Sequence, residues 1–116
     1  MSILSKDAIL NKDDVKTKQI HIPEWEGDVI ISTMSGYARD RFEASVIGKN
    51  GGANTVNIRA KLVASTLVDE KGKLVFNEDD ILKLGKKSST ALDRIFEEAQ
   101  KLNNIGEQEI DELAKK

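Results

Sequence analysis

The sequence predicts an α+β fold: two β-hairpins and several short-to-medium helices packed as one compact domain over residues 1–116. Three observations carry this reading. Apolar residues alternate with polar ones over residues 17–22, as a half-buried strand requires. Elsewhere they recur every three or four residues, as an amphipathic helix requires. Pro, Gly and Asn clusters separate the two kinds of segment, with no repeat and no change of composition that would mark a second domain. With 116 residues, 39% of them hydrophobic, the chain is long enough for a single buried core.

The elements follow in order. Ser5 is placed to cap a short helix, with Asp7 in its first turn and Ala8, Ile9 and Leu10 on its apolar side. Residues 17–33 read as a hairpin: Ile20 and Ile22 alternate with Gln19 and His21, and Pro23-Glu-Trp-Glu-Gly27 turns the chain into Val29-Ile-Ile. Ser35 opens a helix over residues 35–47 with Ala38, Phe42 and Val46 aligned, and Gly48-Lys-Asn-Gly-Gly52 ends it. A helix over residues 54–67 carries the widest apolar arc, from Val56, Ile58 and Ala60 to Leu62, Val63 and Leu67, which makes it the central one. A second hairpin pairs residues 66–68 with residues 73–76 around Asp69-Glu-Lys-Gly72. Asn77 then caps a short helix that Gly85 ends as a left-handed residue, and Ser88 or Ser89 opens a helix whose Leu92, Ile95, Phe96, Ala99 and Leu102 form the cleanest stripe. Asn103-Asn-Ile-Gly106 interrupts it before a last helix over residues 107–115. Tyr37 and the three phenylalanines read as core.

Composition excludes several function classes. Cysteine is absent, so disulfides, iron–sulfur clusters, thiolate-bound zinc and thiol catalysis are ruled out. A single histidine removes every mechanism or metal site that needs two. No cofactor and no enzymatic activity are expected. The N-terminus has no signal-peptide pattern and no stretch has the ~20 apolar residues of a membrane span, so the expected compartment is the cytoplasm and no membrane partner is expected. The net charge of −2 hides a mildly basic middle: residues 35–68 carry five bases and two acids, between acidic flanks. Self-association through complementary thirds is compatible with that pattern. Nucleic-acid modules show a clustered basic patch and a high pI, whereas this chain has a pI near 5.5.

Each candidate motif has a plainer reading. His21 sits on a strand face opposite Ile20 and Ile22 and reads as a solvent-side residue. Asp13-Asp14 and Asp79-Asp80 both read as acids at helix starts, where they favour the helix dipole. Gly85-Lys-Lys-Ser88 lacks the spacing of a phosphate-binding loop, with Lys87 at the hydroxyl position and Asp80 at the glycine position, and reads as a helix end followed by a new cap. Gly48-Lys-Asn-Gly51 matches the G-x-x-G loop of KH domains, which supplies an alternative reading as a KH-like RNA-binding domain. Against it, Asn54 and Asn57 stand where that family has apolar residues, and Lys49 is the loop's one cation. Trp25, the sole tryptophan, stands at the tip of the first hairpin, either folded onto the core or free to anchor a partner. Ile105, Ile110 and Leu113 form a narrow apolar strip in an acidic tail, so residues 105–116 read as a terminal helix that packs on the domain or detaches to dock. Trp25, Ile105, Ile110 and Leu113 are therefore the candidate partner-binding residues.

Taken together, an ordered set of segments carries a family resemblance. It runs from Ser5, Ile9 and Leu10 through Ile22-Pro-Glu-Trp25 and Gly27 to Ser35-Gly36, Arg39-Asp40 and Phe42-Glu43. It continues through Ala60-Lys-Leu-Val63, Leu67-Val-Asp-Glu70, Gly72 and Phe76 to Asp80, Leu84-Gly-Lys-Lys-Ser88 and Leu92. Over almost its whole length the chain resembles the tail assembly chaperones of tailed bacteriophages and defective prophages. The resemblance implies a non-enzymatic assembly factor that binds the tape measure protein, keeps it soluble and promotes tail tube assembly. Further implied partners are the tail tube protein and a frameshifted longer form of the chain itself. It also implies action in the host bacterial cytoplasm and absence from the mature virion. A small structural tail protein is a further alternative in the same setting.

Overall fold

The computed structural model describes residues 2–47 and 57–105. Its sheet starts from strand β1, Thr17–Ile22, paired antiparallel with β2, Gly27–Ser32, so that Thr17 faces Ser32 and Ile22 faces Gly27. Alternation turns Ile22 and the partly buried Ile20 toward the core and leaves His21 outside. There His21 Nδ1 lies 2.8 Å from Asp28 Oδ1 on the paired strand. The link is a 3-10 turn, Pro23–Trp25, with proline at its start, where no N–H is needed. Its left-handed residue is Glu26 (φ 52°), not Gly27.

The second hairpin is reduced. Strand β3, Leu67–Val68, pairs with β2 rather than mainly with the chain that returns, giving the order β1-β2-β3. The expected turn is present: Gly72 has φ +83°, its N–H reaches Asp69 O at 2.9 Å, and Asp69 Oδ1 accepts from the Lys71 and Lys73 amides. Beyond it only one bridge forms, Val68 with Leu74.

Among the described residues five helices accompany the sheet: α1 Lys6–Leu10, α2 Gly36–Val46, α3 Ile58–Thr66, α4 Ile81–Leu84 and α5 Ser89–Leu102. Caps set where they start. Ser35 Oγ accepts from Ala38 N at 3.0 Å and Ser88 Oγ from Ala91 N at 3.4 Å. Asn77 and Asp80 form a reciprocal capping box ahead of α4, across the 3-10 turn Glu78–Asp80. Helix α3 is the central one. It packs against α2, α4 and α5, and it buries Ala60, Leu62, Val63, Ala64 and Thr66, the last with its hydroxyl bonded to Leu62 O at 2.8 Å. Helix α5 buries Ala91, Leu92, Ile95 and Ala99 against α3 and the sheet.

The end of α5 is closed from several sides. Asn104 takes the left-handed conformation (φ 55°), Ile105 N bonds Gln100 O at 2.8 Å, and Asn104 N bonds Lys101 O at 3.3 Å. These two bonds are those of a Schellman motif, with Ile105 buried as its hydrophobic lock. Asn103 ties the same end to the β2–α2 connection: Oδ1 accepts from Met34 N at 2.6 Å, while Nδ2 donates to Ser32 O and Ala99 O.

Several expectations need correction. Gly85 is not left-handed; its φ is −63°. What glycine supplies there is space, because a Cβ would push against the Asn57 side-chain amide. Asn57 itself has φ 62° and makes no side-chain cap for α3, which begins at Ile58 and ends at Thr66 because Leu67 has left for the sheet. Tyr37 is 71% exposed at the start of α2, where it meets Arg41 instead of the core. Asp13-Asp14 lie in a non-helical stretch and start no helix. Ile9 and Leu10 are exposed, since α1 is too short to turn adjacent residues to one side. The Gly48-Lys-Asn-Gly51 loop, Val56 and the helix expected over residues 107–115 lie outside the described residues.

Candidate partner-docking site

An open groove of about 760 Å³ lies between α2, α3 and residues 74–81. Small side chains floor it: Ala38 and Ser45 from α2, Ala64 and Ser65 from α3. Phe42, Leu74 and Ile81 supply apolar walls. The α2 cap is what aims this face: with Gly36 as first helical residue, positions 38, 41, 42 and 45 share one side of the helix. At the rim, Arg41 pairs with Glu78 and lies 5.8 Å from the Tyr37 ring centroid. Lys61 runs along the α2–α3 seam, its Nζ donating to Ser45 O at 2.8 Å, and burial pushes its ammonium below the usual lysine range. The groove's chemistry is that of a surface that receives apolar side chains, with a charged and aromatic lip.

A smaller depression of about 380 Å³ lies on the other side of residues 76–84. Trp25, Phe76 and Leu84 form its floor, with Asp80, Lys83 and Lys87 at its edge. Trp25 is held in place by the 3-10 turn, which Glu24 anchors to α5 through two bonds from Arg94 Nε at 2.8 and 3.0 Å. The Glu24 carboxyl is held below the ordinary range, first by a backbone hydrogen bond and then by Arg94.

A model of the phage tail assembly chaperone family matches residues 5–116. The chain belongs to that family. Among solved structures it is similar to the tail assembly chaperone of bacteriophage HK97, with a TM-score of 0.61 and 22% sequence identity, over 84% of this chain and 89% of that one. At that identity the likeness is one of fold, and it agrees with the α+β architecture described above. Comparison with curated proteins gives no match. Among the described residues no helix is long and apolar enough to cross a membrane, and no group of three or more metal-ligating side chains comes together.

On this tail assembly chaperone the sequence-predicted site residues separate. Trp25 is folded partly onto the core and keeps one face in the smaller depression. Ile105 is buried in the core at the end of α5, and Ile110 and Leu113 lie outside the described residues. The larger groove escaped the reading of the sequence. Its one local signal is the seven-residue spacing of Ala38 and Ser45, facing the Ala64-Ser65 pair of a helix already read as central. Leu74 escaped because residues 73–76 read only as a strand of the second hairpin, whereas Leu74 is 53% exposed at the groove edge.

Proposed function

We propose that this tail assembly chaperone binds segments of a tape measure protein, keeps that protein soluble and promotes assembly of the tail tube, without a chemical step of its own. The observation that supports this reading most is the floor of the larger groove. Alanine and serine side chains leave room for a helix about 10 Å across to approach closely, and the flanking apolar walls can take its side chains. A tape measure protein, long and helical, exposes such segments until its tube forms around it. Action in the host cytoplasm, departure before the virion matures and contacts with the tail tube protein or a longer form of the chain belong to the same proposal. Trp25, Ile110 and Leu113 remain proposed contacts.

Co-expression with the tape measure protein tests it. Wild type keeps the partner in the soluble fraction and co-purifies with it. The pair Ala38→Arg and Leu74→Asp, which fills and charges the groove, weakens that association roughly tenfold or more. Circular dichroism checks that the pair still folds, and Lys12→Ala, far from the groove in sequence and exposed, serves as a control. Undiminished rescue by a folded groove variant would show that the partner binds elsewhere.

A further inference from the structure

We infer that the depression beneath Trp25 is a separate docking pocket for an acidic protein segment, one whose carboxylates flank a single bulky aliphatic or aromatic side chain. This rests on the reading of the chain as a protein-binding module but not on the larger groove. The floor is apolar, with Trp25 and Phe76 half-buried and Leu84 buried, and about 380 Å³ holds one or two large side chains rather than a whole helix face.

The charges around it are asymmetrically committed. Of the nearby acids, Asp80 Oδ2 accepts from Asn77 N at 3.0 Å, and Glu24 is held by Arg94. Lys83 and Lys87 stand exposed at the pocket edge four residues apart, with Lys86 between them, and none of these three ammonium groups has a partner among the described residues. By contrast Lys18, Arg41, Arg59 and Arg94 are all in ion pairs. The lining thus sets Lys83 and Lys87 against one carboxylate, that of Asp80, a net positive edge beside an apolar floor. Carboxylates on a ligand complement the lysines, while its apolar anchor removes Trp25 and Phe76 surface from water. A nucleic-acid base could stack on Trp25, but a phosphate on every nucleotide calls for a continuous basic track, whereas the two lysines of this lining match a few carboxylates flanking one anchor, so the surroundings favour a protein segment.

Trp25 is the only tryptophan, so its fluorescence reports on this pocket alone. The probe is a tryptophan-free, end-blocked 12-residue peptide of glutamates around two leucines, compared with its glutamine and lysine counterparts and with the oligonucleotide (dT)12. The expected result is a saturable blue shift with the glutamate peptide only. Affinity falls about tenfold or more in Lys83→Glu/Lys87→Glu, less in Lys83→Gln/Lys87→Gln, and with added salt. Leu74→Asp in the larger groove leaves it unchanged. No saturable shift, equal binding of the glutamine peptide, or binding of (dT)12 that depends on the same lysines overturns the inference. If the lysine variants fold, bind no peptide differently from wild type, and the groove variant still loses the tape measure protein, this inference fails while the proposed function stands.

Discussion

Residues 2–16 and residues 88–105 begin with the same local chemistry and end in opposite environments. Each opens on a serine whose hydroxyl accepts from the amide three residues on, Ser5 from Ala8 at 3.2 Å and Ser88 from Ala91 at 3.4 Å. Each follows that cap with apolar side chains. Yet α1 buries none of them, leaving Ile9 at 55% and Leu10 at 71% exposure, whereas α5 buries Ala91, Leu92, Ile95 and Ala99. The difference is spacing and length. Ala8, Ile9 and Leu10 are consecutive, so about 100° separates each from the next and no one side collects them. Helix α5 repeats its apolar positions over 14 residues and so presents a continuous stripe. Its far end is also tied to the rest of the molecule by Asn103, whereas the N-terminal segment is joined next to β2, where Thr33 N bonds Lys16 O at 2.9 Å and Lys16 N bonds Thr33 Oγ1. A cap permits a helix to begin; packing decides whether it contributes to the fold.

That contrast can be broken at several points. The largest effect is expected from truncating one isoleucine on each side. Ile95→Ala opens a cavity in a fully buried site and should cost about 2–5 kcal/mol by urea denaturation. Ile9→Ala should stay within about 0.5 kcal/mol. A large loss for the second would mean that the N-terminal segment packs after all. Next comes Asn103→Ala, which strips the Met34 amide and the Ser32 carbonyl of their partner and should cost about 1–3 kcal/mol. The caps give a smaller and sharper contrast: about 1 kcal/mol for Ser88→Ala, and no measurable change in global melting for Ser5→Ala. The smallest effect concerns pH. The Lys18 ammonium, hydrogen bonded at 2.6 Å, holds the Glu98 carboxyl on α5 below its usual range, against a smaller opposing effect of burial. Such a group contributes stability above its unfolded value, near 4.5, and that contribution is lost as pH falls through the lower folded value. Glu24 and Asp28 shift in the same direction. Melting temperature should therefore drop from about pH 5 to about pH 3, and Glu98→Gln should flatten that drop slightly.

The legible parts of the fold are those whose cause is local. Ser35, Asn77 and Ser88 announce their helices because a cap and the amides it satisfies lie within a few residues, and Ile20 and Ile22 announce β1 because alternation is local too. What was not legible depends on which distant residue arrives next to which. Nothing near Leu67 says that its strand pairs with Ile31 rather than chiefly with the chain beyond Gly72. Tyr37 reads as core by residue type, and only the position of Arg41 relative to the cap shows why it stands outside. The candidate site follows the same rule. Trp25 could be picked out as a lone aromatic at a turn, and of the two lysines beside it Lys87 lies in a motif already rejected for phosphate binding while Lys83 lies outside it. The larger groove could not be picked out, because Ala38, Ala64 and Leu74 have no meaning until α2, α3 and the 74–81 segment converge.

The close approach of Asn57 to Gly85 constrains how this sequence can drift. Alanine at position 85 would fit the backbone, whose φ of −63° is ordinary, and would normally favour a helix end over glycine. It would meet the side-chain amide of Asn57 and, less closely, Ile81 O at 3.3 Å, so the Asn57 side chain would have to turn aside, on a residue that itself sits in a conformation glycine adopts more readily (φ 62°). The two positions are therefore coupled, and the order of change matters: glycine at 57 first opens the way to alanine at 85, while the reverse route passes through a clash. Among descendants of this chain the pair should be inherited together, a mark of shared ancestry that neither position carries alone.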